Sequence, residues 1–150
     1  MKRIQRIVVG TDFSEIAERA VDHAVDLAKA VGAAVTLVHA YELPALALPD
    51  GVVGASLEFS NQLATEGLKR LEAAAAKRKD SGVALTTLLR LGAPWDELNT
   101  VAAEQQADII VVGTHGRRGL SRALIGSVAE RLVRTAYCPV LVVHAGVPAS

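Results

Sequence analysis

The stretch GTHGRRGLSRALIGS, Gly113 to Ser127, gathers four glycines, one histidine and three arginines into fifteen residues of an otherwise Ala- and Val-rich chain. Glycine lets backbone run close to a ligand, and arginine adds a permanent positive charge, so the composition points to phosphate. Gly113 closes the apolar run IIVVG and leaves the chain's exit unobstructed. Gly116 allows a second backbone conformation closed to larger residues, and Gly126 precedes Ser127. The segment SVAE has the form of a capping box, with Ser127 as N-cap and Glu130 three residues on. A helix starting there aims unpaired N–H groups and a partial positive charge back along its axis, a ready anion site. A serine that accepts from the helix backbone can still donate its proton to a phosphate oxygen. Glu130 would repel phosphate unless turned away. Spacing alone is equally compatible with a surface loop shaped by glycine, with Arg117, Arg118 and Arg122 solvated.

Other residues limit the chemistry. No G-x-x-x-x-G-K-[ST] is present, and the first strand-to-helix turn carries no G-x-G-x-x-G. These absences argue against a P-loop NTPase and a dinucleotide-dependent dehydrogenase. Asp12 follows the first apolar run; it is either a ligand contact or an acidic residue at a helix entry. His115 lies inside the glycine loop, where proton transfer is conceivable but a loop histidine without catalytic duty is the simpler reading. His39 and His144 are far apart in sequence, and no local His, Cys and Asp spacing supports zinc. Cys138, before Pro139, reads as a buried, inert thiol. Trp95 reads as packing, and Lys77, Arg78 and Lys79 as the solvated end of a helix.

The elements that must position these residues are legible in the hydrophobic pattern. Apolar runs at Ile4 to Gly10, Ala34 to Ala40, Val83 to Leu91, Ile109 to Gly113 and Val140 to His144 mostly read as strands, and runs such as IIVVG and VLVVH lack clean polar alternation, as strands covered on both faces do. Between them lie helical stripes. The first comprises Ala17, Ala20, Val21, Ala24, Leu27, Ala28 and Val31, with Ser14 as N-cap and Gly32 as stop. A second runs from about Ser56 to Lys79 on Phe59, Leu63, Leu68, Leu71 and Ala75. A third starts near Pro94, and a fourth follows Ser127 and ends before Pro139. The loop from Tyr41 to Ala55 is apolar and rich in Pro and Gly; it either folds over a ligand or meets a partner. Strands alternating with helices imply one doubly wound α/β domain with a five-stranded parallel sheet. Ligands of such sheets bind beyond the carboxyl ends of the strands, where strand order reverses.

Composition sets outer bounds. A chain of 150 residues is one domain in size, expected here to be ordered from about residue 3 to 145. It is 51% hydrophobic but 3% aromatic, so Val, Leu, Ile and Ala must build the core. Net charge is zero, giving no basic field for nucleic acid. The single cysteine excludes an intrachain disulfide. No run approaches the roughly 20 apolar residues of a membrane helix, and the first is too short for a signal peptide, so a cytoplasmic protein is expected.

Gly113, Gly116, Gly126 and Ser127 fill G-x2-G-x9-G-[ST], the motif of the ATP-binding universal stress proteins, which the sequence resembles. The likeness extends through IVVGTDFS, VTLVHAYE and ADIIVVGTHGRRGLSRALIGSVAERLVRTAYCPVLVV. It implies strand order 3-2-1-4-5, which makes the first and fourth strands neighbours and brings Asp12 and the Gly113 loop into one crevice. It also implies a homodimer through the last strand, Val140 to His144. By the same likeness Thr11 belongs to the nucleotide site, Asp12 and the Ala40 backbone approach the adenine and ribose end, and Val112 and Gly113 line the ribose. Gly116, Arg117, Gly126, Ser127 and Val128 follow the phosphates, with His115 within the motif. The implied ligand is ATP, accompanied by Mg2+ or Mn2+. Three functions remain open: a nucleotide-dependent regulator in stress response, a slow ATPase or phosphotransferase at the same site, and a dimeric scaffold without nucleotide. No base stands beside a nucleophile in the sequence, so catalysis would rest on backbone amides and arginines.

Overall fold

Ile7, Val8 and Val9 become almost wholly inaccessible to water on folding, because helices cover both faces of the strand they form. The computed structural model describes residues 2–49, 51–54, 56–115 and 125–146. Its elements in chain order are β1 (Arg6–Gly10), α1 (Glu15–Val31), β2 (Ala34–Tyr41), β3 (Leu46–Leu48), β4 (Gly51–Val53), α2 (Leu57–Ala76), β5 (Leu85–Leu91), α3 (Pro94–Glu104), β6 (Ile109–Gly113), α4 (Ser127–Thr135) and β7 (Val140–Val143). Five parallel strands form one sheet in the order β5-β2-β1-β6-β7. Counted along the chain, that is the expected order 3-2-1-4-5.

The pleat divides the core in two. Ile7, Val9, Val35, Leu37 and Val111 pack under α1 and α2, whereas Val8, Val38, Ile110 and Val112 face α3 and α4. Ser14 caps α1 by accepting from the Ala17 N–H at 3.2 Å, and Gly32 ends it in the left-handed conformation at φ 73°. Ser56 caps α2 in the same way, accepting from the Phe59 N–H at 3.1 Å.

Several expectations shift. The first strand starts at Arg6, because the Asp108 carboxylate takes the Gln5 and Arg6 N–H groups at 2.9 and 3.1 Å. The third sheet strand starts at Leu85, since the Val83 N–H turns back to the Ser81 hydroxyl. The last strand ends at Val143 rather than His144. Helix α2 buries Gly67, Leu71 and Ala74 and leaves Leu68 and part of Phe59 in solvent, so its stripe is rotated from the expected one. It stops at Ala76, and Lys79–Ser81 form a separate 3-10 turn. The Tyr41 to Ala55 segment contains an antiparallel hairpin, β3 paired with β4.

Of the basic run after α2, Lys77 and Lys79 are solvent-exposed as expected, but Arg78 is not. Arg78 is buried, with Nη1 donating to the Ala74 carbonyl at 2.7 Å and Nη2 lying 2.9 Å from both Glu18 and Asp22 carboxylates. It ties α2 to α1. Trp95 does pack, its ring lying under the Arg131 guanidinium at 5.0 Å against the α3–α4 core. Cys138 is half-buried, and burial pushes its thiol pKa up, which keeps it protonated and unreactive.

Candidate functional site

The sheet's order of strands places the ends of β1 and β6 side by side. Register pairs Val9 with Val111 on that seam and Gly10 with Val38 on the other side. The Thr11 N–H extends the β1–β2 ladder by donating to the Val38 carbonyl at 2.9 Å, and the Thr114 N–H extends β6–β7 by donating to Val143 at 2.9 Å. Above this edge opens a cleft of about 370 Å³, within the size range of small-molecule sites.

Of the eleven residues proposed from sequence, Thr11, Asp12, Ala40, Val112, Gly113, His115, Gly126, Ser127 and Val128 line this one cleft. Gly116 and Arg117 lie outside the described residues, as do Arg118, Gly119 and Arg122. The cleft also holds residues the sequence reading did not single out. Gly10, Val38, Pro94 and Leu98 give it an apolar wall, Ala17 and Ala129 add small side chains, and Thr114 adds a buried hydroxyl. Leu98 stands one turn beyond Pro94, so its place on the inward face of α3 is readable from spacing. Which strand end it meets is not.

The turn after β1 is built by its own side chains. The Phe13 N–H donates to Thr11 Oγ1 and the Ser14 N–H to Asp12 Oδ1, both at 3.0 Å. These bonds hold Phe13 at φ 65°, a conformation that is strained for a bulky side chain. His39, at the end of β2, contacts the Thr11 carbonyl through Nδ1 at 2.8 Å, and its ring lies 4.5 Å from that of Phe13. Asp12 turns the chain into α1, as a helix-entry residue does, and it also lines the cleft.

On the β6 side, Gly113 has no room for a side chain, since a Cβ would lie 2.6 Å from Ile16 Cγ2. Gly126 is tighter still: its Cβ would sit 2.5 Å from the Thr114 carbonyl oxygen, to which its own N–H donates. The start of α4 is thus clamped to the exit of β6. Gly126, not Ser127, is the N-cap, and no side chain caps this helix. The expected capping box does not form, because the close approach to Thr114 admits only glycine at the cap and moves Ser127 one place into the helix. The consequence favours a ligand role. The Ser127 hydroxyl is not committed to its helix, and the first N–H groups of α4 open on the cleft beside it. Glu130 lies along the helix at 3.0 Å from Arg134, in an exposed pair directed away from the cleft lining. His115 is buried, with Nδ1 3.0 Å from Thr114 Oγ1.

The cleft thus offers an apolar slot between α3 and the strand ends, a carboxylate at Asp12, and a helix start with a hydroxyl at Ser127. Among the described residues no group of three or more His, Cys, Asp or Glu side chains is arranged to hold a metal ion. No helix among them is long and apolar enough to cross a membrane.

This is a doubly wound α/β domain with a cleft at its switch point, where sheets of this kind bind their ligands. The chain belongs to the universal stress protein family, whose model matches residues 3–144. It is 37% identical over 140 residues to the universal stress protein MJ0531 of Methanocaldococcus jannaschii, covering 93% of this chain and 81% of that protein. The structure of MJ0577, a universal stress protein of the same organism, superposes with a TM-score of 0.81 at 26% identity, covering 97% of this chain and 99% of the other. A universal stress protein solved in complex with cAMP is 30% identical, with a TM-score of 0.71 and coverage of 97% and 100%.

Proposed function

We propose that this protein binds ATP in the β1–β6 cleft and acts as a nucleotide-dependent regulator. The observation that carries this reading is the convergence of nine sequence-selected residues, drawn from the carboxyl ends of β1, β2 and β6 and the start of α4, on one cleft. The relative in complex with cAMP supports an adenine nucleotide as the ligand class.

The fit is chemical as well as topological. The apolar slot of Val38, Ala40, Pro94 and Leu98 suits a base, and the Ala40 backbone offers hydrogen-bonding groups at its edge. Asp12 would accept from ribose hydroxyls, and Val112 and Gly113 would floor the sugar. The amides at Gly126, Ser127 and Val128, with the Ser127 hydroxyl, would hold phosphates, joined by Gly116 and Arg117. Mg2+ or Mn2+ would arrive with the phosphates, neutralising their charge. Binding at the start of α4 would alter the surface shown to other proteins.

The regulator would act as a homodimer through its last strand. β7 is a sheet edge, and around it Leu141, Tyr137 and Val133 are exposed although apolar.

The test is mass spectrometry of nucleotide released from purified protein, followed by calorimetric titration with ATP, ADP and AMP. ATP binding at micromolar to millimolar concentration, with no multiple turnover, is the expected result. Absence of binding at millimolar ATP overturns the reading, and multiple turnover abolished by Ser127→Ala replaces the regulator with an ATPase.

A further inference from the structure

His39 makes a bond whose direction is fixed by chemistry. Its Nδ1 lies 2.8 Å from the carbonyl oxygen of Thr11. A carbonyl can only accept, so Nδ1 must carry the proton and donate. The acceptor belongs to the peptide that joins Thr11 to Asp12, and the next two N–H groups are those bound by Thr11 Oγ1 and Asp12 Oδ1. One ring thus fixes the peptide plane from which the Asp12 side chain departs.

The ring itself is held on several sides. Phe13, in its left-handed conformation, lies 4.5 Å away, and Tyr41 stacks at 6.5 Å on the other part of β2. Helix α2 comes close through Gly67, where a Cβ would lie 3.5 Å from His39 Cδ2 and 2.9 Å from Leu89 Cδ1. The strained turn needs such outside support, since a bulky residue at positive φ relaxes unless its surroundings determine it.

We propose that His39 is a positioning residue for the nucleotide site: its Nδ1–H donation to the Thr11 carbonyl holds the Thr11–Phe13 turn so that Asp12 faces the cleft. The inference rests on the reading of the cleft as an ATP site. It assigns His39 no contact with nucleotide and no part in chemistry.

The donor's location makes the test sharp. An asparagine amide nitrogen occupies nearly the place of histidine Nδ1, whereas a glutamine amide nitrogen occupies that of Nε2. His39→Asn, His39→Gln and His39→Leu are compared by calorimetry with ATP and by thermal unfolding. His39→Asn is expected to bind within about threefold of the parent protein. His39→Gln and His39→Leu are expected to bind about tenfold more weakly, as follows from leaving the Thr11 carbonyl without its donor. Amide exchange at Phe13 and Ser14, measured without nucleotide, should accelerate in the same two variants and not in His39→Asn. A purely structural histidine would instead give affinities that track Tm, with asparagine no better than glutamine. That result, or unchanged ATP affinity in all three variants, overturns the proposal. If His39→Leu fails to fold, the Asn and Gln pair decides it. Should the parent protein bind no ATP, the reading of the cleft fails, whereas the exchange measurement still judges the role of His39 in the turn.

Discussion

Gly126 is the tightest point of the site and gives the sharpest prediction. Its backbone, at φ −62° and ψ 157°, is open to any residue, so glycine is required by space and not by conformation. A Cβ there would lie 2.5 Å from the Thr114 carbonyl oxygen and 3.4 Å from the His115 Cα. To reach ordinary van der Waals separation, the start of α4 must withdraw by about 1 Å. Gly126→Ser sets two effects against each other. A serine N-cap would improve the helix by only a few tenths of a kcal/mol over glycine. Crowding a packed backbone costs about 1–3 kcal/mol. The clash wins, so the variant should lose about 1–2 kcal/mol, or roughly 2–8 °C in Tm for a domain of this size. The withdrawn helix start should also weaken ATP binding by about tenfold or more, because amide donors displaced by about 1 Å no longer meet the phosphates. Denaturant unfolding followed by fluorescence of Trp95, the chain's one tryptophan, reads the stability, and calorimetry reads the affinity. A Gly126→Ser protein as stable as the parent that binds ATP equally well would refute the reasoning.

Ser127→Ala should change stability by less than about 0.5 kcal/mol, because the hydroxyl caps nothing, while weakening ATP binding several-fold; a loss near the 1 kcal/mol of a true cap would restore the capping box. Arg78→Ala should cost about 2 kcal/mol in urea unfolding, discounted from a fully buried pair because Glu18 and Asp22 are partly solvated, and should leave ATP affinity unchanged. Asp108 is held below the usual carboxylate range chiefly by the Gln5 N–H, then by Lys2 and the Arg6 N–H, with burial opposing. Its folded pKa being depressed, it stabilises the protein above the unfolded carboxylate value, and that contribution is lost as pH falls through the folded one. Asp108→Asn should therefore flatten the acid limb of the stability profile, which a parallel limb in unfolding scans from neutral to acid pH would disprove. In the proposed homodimer Leu141→Arg should leave only monomers in light scattering after gel filtration, and a persistent dimer would move the interface away from β7.

The sequence by itself determined the frame. Unbroken Val and Ile runs are what parallel strands covered on both faces require, and Ser14, Gly32, Ser56 and Pro94 mark helix ends by local chemistry that no distant contact overrides. The alternation of strands and helices likewise directed attention to the carboxyl edge of the sheet, where ligands of such sheets bind. Where the reading failed, the deciding atom was remote in sequence. Ser127 lost the cap to Gly126 because the Thr114 carbonyl stands in the way, and no pattern in SVAE records that distance. Arg78 looked solvated because the Glu18 and Asp22 that bury it lie 60 and 56 positions away. Leu98 and the apolar wall entered the cleft, and His39 came to lie against the Thr11 carbonyl, only once strand order set α3 and β2 beside β1. Local propensity and periodicity are properties of neighbouring residues and survive in the sequence, whereas contact between elements depends on register and crossing, which only the folded chain decides.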